Sequence, residues 1–498
     1  MGRSFGRGAA FLSMGAIASR FTGVFSQVVL GAILTKEQFG VFGVALGVMT
    51  VTGSLRGGVV HQYLQTLSPE RFEKEAGAYV RLAAYACALG AMATLIAAIV
   101  VPYWRPEPGL RVVLFVMAAH ALMPFFNSPL RARMQVAMRF GTMATVDTIN
   151  TALRTVIAIL LALFGAGPAA LAIPLLAGAM FEAVVFSSIL RLPIFSMAAR
   201  GAGGTRDAFR TVRWTLLLAI ASTSVFQGDY LAGSLFASST VVGVYYFAYG
   251  LCNQSGALAA SMLGEVVGPV IAQLRHDPQR RAAAALRIAR GIGILLPGLV
   301  FAIPVIFPEL DHLIWKGGWQ DAATTSFLLS AQVTLLLTTT LLYATRHGQG
   351  DFRSPAIFEC MRGAAVLIGA GLGAWLSPTP EGIALGALGI GGTTSLAVGA
   401  WIIRSMGVSA ATAVRVMLGG PLAGFALAVG LRYGLDQIQG WSGADDEHRW
   451  RWGIEVIVEG IAYVALYLLA VRVFFHRALK DMLSVAPARI SKPLRFLA

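Results

Sequence analysis

Charge is scarce in this chain. Only 13% of its 498 residues are Asp, Glu, Lys or Arg, against about 25% in ordinary soluble domains. Cysteine is scarcer still: Cys87, Cys252 and Cys360 each lie inside an apolar run. Three scattered thiols make no disulfide framework, and they read as small buried hydrophobes. The chain has no HExxH, no CxxC pair and no Walker phosphate loop. These absences leave no motif for zinc hydrolysis, dithiol chemistry or ATP use, and the expectation is a protein that is not an enzyme. The alternating ten-residue strands of a transmembrane β-barrel are missing too.

What the chain does have is length in apolar runs. Hydrophobic residues make up 56% of it, mean hydropathy is +0.70, and stretches of about 20 apolar residues recur throughout, each long enough to cross a bilayer as a helix. The sequence therefore predicts an all-α polytopic membrane protein. Fourteen spans are expected at about 8–34, 40–66, 77–101, 111–130, 143–165, 168–191, 212–236, 241–265, 286–307, 322–345, 355–377, 382–404, 412–434 and 453–474. Turns at 102–108, 165–168 and 377–380 punctuate them. The short basic segment 1–7 reads as the lead-in to a retained first span.

The net charge of +15 reads as basic cytoplasmic loops and not as a nucleic-acid surface. With the N-terminus inside, 28 Lys and Arg fall on the cytoplasmic side and 7 on the other, which places both termini in the cytoplasm. The basic tail at 477–498 is expected to lie on the anionic inner leaflet.

The chain also repeats itself. Residues 25–47 (FSQVVLGAILTKEQFGVFGVALG) match 225–250 (VFQGDYLAGSLFASSTVVGVYYFAYG). Gly31 meets Gly233, and Gly40-Val41-Phe42 meets Gly243-Val244-Tyr245, with one extra loop residue in the later copy. Residues 140–191 match 352–403 at a constant offset of 212, so that Asp147 meets Glu359 and Pro168 meets Pro380. Two pseudo-symmetric six-helix lobes are expected, 1–200 and 201–406, followed by a helix pair at 407–476.

Charge inside a span costs about 2.5–3.5 kcal/mol on insertion scales, so it marks a partner or a wet cavity. Arg20 and Arg154 are near mid-span, Arg56 is past the middle of its span, and His120 is mid-span. If their faces converge they make a cationic patch suited to phosphate, because the guanidinium fork pairs bidentately with phosphate oxygens. The alternative is that each arginine satisfies Asp147, Glu182 or helix-end carbonyls. Asp229 is the acidic candidate: a site for H⁺ or Na⁺, or an interhelical bond that fixes packing. Asp147, Glu359, Arg362 and Glu182 are candidates for locking or gating. The glycine-rich stretch 386–392 reads as close helix packing. No cofactor and no metal are expected.

Four segments carry a family resemblance. GAILTKEQFGVFGVALGVMTVTGSL, DYLAGSLFASSTVVGVYYFAYGL, VVGPVIAQLRHDP and MRFGTMATVDTINTALRTVIAILLALFGAGPAALA resemble the first, seventh-to-eighth and fifth-to-sixth span regions of Wzx-type polysaccharide transporters. That family belongs to the multidrug/oligosaccharidyl-lipid/polysaccharide exporter superfamily. The resemblance covers about residues 8–404. It implies two lobes around a central cavity and a flippase moving undecaprenyl-pyrophosphate-linked oligosaccharide to the periplasmic leaflet of a bacterial inner membrane. It also implies partners among membrane lipids, a polysaccharide polymerase and a chain-length regulator. The DAF…PN…R…EGAF pattern of lipid II flippases is absent. A cation-coupled antiporter and a membrane scaffold for polysaccharide synthesis are the other readings.

Overall fold

A computed structural model describes residues 21–52, 58–65, 67–191, 194–195, 198, 204–273, 278–347, 351–437 and 449–476. Among the described residues the chain is helical and holds no strand. In order the helices are α1 (Phe21–Ile33), α2 (Lys36–Thr52), α3 (Gly58–Leu64), α4 (Pro69–Trp104), α5 (Leu110–Val136), α6 (Phe140–Leu163), α7 (Ala169–Leu190), α8 (Thr205–Phe236), α9 (Ser239–Gln273), α10 (Pro278–Val300), α11 (Ala302–Leu310), α12 (Ala322–His347), α13 (Arg353–Leu376), α14 (Pro380–Gly386), α15 (Thr393–Arg404), α16 (Ala410–Gln437) and α17 (Arg449–Phe474). Two π-helical turns interrupt them, Asp311–Trp315 after α11 and Ala387–Gly392 between α14 and α15. Over the described residues every predicted span falls on one helix or on a consecutive pair, and 8–20 and 53–57 lie outside those residues. Ten helical stretches of the described residues are long and apolar enough to cross a membrane, and the chain is a multi-pass membrane protein. One boundary needs correction: the fourth span was placed at 111–130, but α5 runs through Pro129 to Val136 and takes Arg131 into the helix.

The chain packs into two compact units. One is Met1–Tyr246 with Ala356–Leu367, and the other is Phe247–Pro355 with Ile368–Ala498. In the first unit the two copies of the N-terminal hairpin meet each other. A Cβ on Gly40 would collide with the backbone carbonyl of Ser239, and a Cβ on Gly243 with that of Lys36. Gly40 corresponds to Gly243 in the repeat and Lys36 to Ser239, so the contacts exchange partners, as a two-fold relation requires. Helices that approach this closely need small residues at the crossing. Tyr246 packs edge-on to Phe42, ring centroids 5.5 Å apart, and a Cβ on Gly43 would lie 3.6 Å from the Cβ of Tyr246. Gly40→Val or Gly243→Val should therefore destabilise the fold, with lower membrane levels and a lower melting temperature in detergent. Gly141→Val should have no such effect, because nothing lies within 4 Å of its Cβ position.

The same unit clamps its hairpin turns. Arg105, after α4, donates to the Ser234 carbonyl and, at 2.5 Å, to that of Ala237, while Glu107 accepts from the Ser239 hydroxyl. Arg105 thus satisfies carbonyls left open at the end of α8. In the second unit, Ile294, Phe301, Val305, Ala428, Tyr463 and Tyr467 form the core between α10, α11, α16 and α17. There the Tyr467 hydroxyl donates to the Ile294 carbonyl at 2.6 Å. Phe247 stacks on Trp319 with centroids 3.8 Å apart.

Candidate functional site

In the first unit, charged side chains of α5, α6 and α7 meet one another. On α5, His120, Asn127 and Arg131 recur at spacings of seven and four and share one helix face. Asn127 donates to the Ala179 carbonyl of α7 at 3.0 Å. Arg131 lies between two carboxylates. It donates to Asp147 of α6 at 2.6 and 2.8 Å and to Glu182 of α7 at 2.5 Å. One guanidinium against two carboxylates leaves this trio with a formal charge of −1. The sequence expected Glu182 to be near a first-lobe arginine, and it is. The arginine is Arg131, one residue past the predicted span 111–130 and inside α5.

Arg154 lies two turns further along α6. The exposed apolar side chains of that helix, Ile149, Val156, Leu160 and Leu163, form one stripe. At 100° per residue, Arg154 projects about 150° away from its centre. It keeps an exposed side chain on the face of α6 that packs toward α7. Its stem lies over α7 at Gly178, where a Cβ would come within 2.6 Å of the Arg154 Cδ. Glycine at 178 thus makes the room in which the arginine lies. Asn150, one turn before Arg154, approaches the same glycine. Among the described residues no carboxylate is within ion-pairing distance of Arg154.

The remaining candidates are elsewhere. Asp229 of α8 is wholly buried and accepts from the Tyr245 hydroxyl of α9 at 2.6 Å and from the Tyr230 N–H at 3.0 Å. It ties two helices of one hairpin. Glu359 and Arg362 of α13 are both wholly buried and pair at 2.6 Å one turn apart, and the Ser222 hydroxyl of α8 donates to Glu359 at 3.1 Å. Asp147 and Glu359, matched in the repeat, thus each meet an arginine. Arg20 and Arg56 lie outside the described residues. Sequence reasoning passed over a second charged cluster, in the other unit: Arg432 of α16 meets Glu309 at 2.5 Å and Asp436 at 3.0 Å. Its signal was an arginine four residues before Asp436 on one helix.

Residues 29–323 match the family model described as a polysaccharide biosynthesis protein. No curated protein matches the chain. Among solved structures, the chain is similar to "Lipid II flippase MurJ, inward closed conformation", with 13% identity and a TM-score of 0.63, covering 94% of this chain and 99% of that one. It is also similar to an inward-facing multidrug resistance MATE family transporter of the MOP superfamily, with 14% identity, a TM-score of 0.58 and coverage of 78% and 95%. An outward-facing MATE family transporter of that superfamily matches with 14% identity, a TM-score of 0.52 and coverage of 80% and 95%. At such identities the likeness is one of fold.

Proposed function

Because the chain belongs to the family of polysaccharide biosynthesis proteins, matched over more than half its length, we propose that it flips a lipid-linked oligosaccharide across a bacterial inner membrane by alternating access. The observation that carries this reading is Arg154, a mid-span cation turned away from the lipid stripe of its helix, with no carboxylate beside it among the described residues. A pyrophosphate headgroup cannot cross hydrocarbon unaided, and a guanidinium that pairs with it at mid-span lowers that barrier. The proposed substrate site is Arg154 with Arg20, Arg56 and His120, set against the first lobe, with the sugars extending toward the second. Asp147 and Glu182, each paired with Arg131, and Glu359 with Arg362 are the proposed locks whose ion pairs rearrange during the cycle. The proposed substrate is an undecaprenyl-pyrophosphate oligosaccharide, and a polymerase and a chain-length regulator are the proposed partners downstream. Deleting the gene should make unflipped lipid-linked oligosaccharide accumulate, read by mass spectrometry of the membrane lipids. Unchanged lipid pools together with lost cation-coupled export of a drug or metabolite would favour the antiporter reading instead.

Both termini are proposed to be cytoplasmic, on the bias of basic residues. Reporter fusions after residues 205 and 315 should then report opposite sides of the membrane, and agreement between them would overturn this topology.

Asp229 is the proposed coupling residue for H⁺ or Na⁺. Its bond to Tyr245 would be exchanged for the ion during the cycle. Asp229→Asn should insert normally and should lose any dependence of transport on pH or Na⁺. A variant that keeps that dependence would assign Asp229 to packing alone.

A further inference from the structure

Gln332 on α12 is wholly buried, and neither its amide oxygen nor its amide nitrogen has a hydrogen-bond partner. A buried amide left unpaired costs free energy that a folded protein rarely concedes without a reason. Its surroundings follow from the helix face it occupies. Thr325 and Thr339 lie seven residues to either side, within about 20° of the same face. Thr325 bonds Glu381, just inside α14, at 3.0 Å, and Thr339 bonds the Ser395 carbonyl of α15 at 2.9 Å. Gln332 is midway between the two bonded threonines, and the point midway between their partners is residue 388. That point falls within the π-helical turn Ala387–Gly392, against which α12 packs.

A π turn carries one residue more than an α turn and shifts the backbone bonding register. Restoring α geometry at 387–392 would rotate α15 against α14 by about 100°. The two sides of the turn differ in how they are held. On α14, Gly382 and Gly386 pack so closely on Gly373 and Gly369 of α13 that an added Cβ would strike backbone. In the turn itself Gly389 has nothing within 4 Å of its Cβ position. Beyond it, α15 is held by side chains, which can reorient: Gly399 packs on Met417 and Thr339, and Thr339 bonds the Ser395 carbonyl. The first copy of the repeat has no such turn: α7, its counterpart, is a continuous α-helix.

We infer that the turn at Ala387–Gly392 is a register switch, and that Gln332 is the side chain that pairs with its backbone in the other register. The unpaired amide destabilises the state described here relative to the state in which it is bonded. That difference keeps the two states close enough in free energy to interconvert.

The test replaces the amide by an apolar side chain of similar volume, Gln332→Met, in the full-length protein in nanodiscs. Removing an unpaired amide stabilises the present register, so melting temperature should rise. Hydrogen exchange at 387–392 should slow by about five- to 150-fold, the span of one lost buried hydrogen bond. Transport of the lipid-linked substrate should fall while membrane levels hold. Gly389→Ala, which meets no neighbour and favours α geometry, should also change exchange in that segment and reduce transport. A lower melting temperature in Gln332→Met would show that the amide is bonded in this register and would overturn the inference. So would unchanged exchange at 387–392 in both variants, the outcome expected if a trapped water serves the amide. The exchange readout does not depend on the substrate, so the switch can fail while the flippase reading stands, and the reverse.

Discussion

Cells whose only copy carries Arg154→Ala should stop exporting the polysaccharide while the transporter remains in the membrane at near-normal level. The guanidinium is mid-span on the face of α6 opposite Ile149, Val156, Leu160 and Leu163. Among the described residues it has no carboxylate to pair with, so its removal strands no partner and should cost little folding free energy. It would, however, remove charge-assisted hydrogen bonds to phosphate, each worth about 1.5–3 kcal/mol, or about tenfold to 150-fold in rate if they form fully in the crossing state. Arg154→Lys keeps the charge and loses the bidentate fork, so intermediate export is expected. Gly178→Ala serves as a control on position. The added methyl would displace the Arg154 stem from α7 and should reduce export with the charge intact. Full export by Arg154→Ala at normal expression would remove Arg154 from the substrate site.

The second large effect is on stability. Glu359 and Arg362 are both wholly buried and pair at 2.6 Å within α13, with Ser222 donating to Glu359. Taking one member away leaves the other's charge in a low-dielectric interior, which costs about 3–5 kcal/mol. Arg362→Met and Glu359→Gln should each lower the melting temperature in detergent sharply and reduce the amount of folded protein. The double variant should recover most of the loss, because replacing both members of a buried pair is close to neutral. Two additive losses would mean that the residues do not act as a pair. The exposed pair Arg71–Glu75, at 2.9 Å, is the contrast: neutralising it should change stability by less than about 1 kcal/mol.

The apolar spans were legible because the bilayer leaves the backbone few choices, and a helix of about 20 apolar residues is the commonest. The repeat was legible too. Aligning Gly40 with Gly243 anticipated a shared role, and the two glycines meet each other's hairpins at the same crossing. Where each span ends was less legible, and that is where sequence reasoning mislaid charge. Arg131 and Arg105 fall just beyond the ends of predicted spans, and Arg432 falls at the end of one. Each is a structural ligand, because a long side chain near a helix end reaches back to carbonyls or carboxylates that composition does not reveal. The stretch 386–392 was read as close packing. Gly386 does pack closely, on Gly369, but the π turn that follows depends on backbone bonding, which residue type alone does not encode. The mid-span placement of Arg154 was readable by counting. Its freedom from a carboxylate was not, since Asp147 and Glu182 were equally available to it in sequence and are taken by Arg131.

The central claim is that this chain moves a pyrophosphate-linked oligosaccharide between leaflets. The direct measurement uses purified protein in proteoliposomes that hold a polyprenyl-pyrophosphate oligosaccharide bearing a labelled sugar. An impermeant glycosidase added outside removes label only from the outer leaflet. With the transporter present, the protected inner pool should drain into the accessible one, and vesicles holding Arg154→Ala should keep it. Protection equal to that of protein-free vesicles, under both pH and Na⁺ gradients, would contradict the claim.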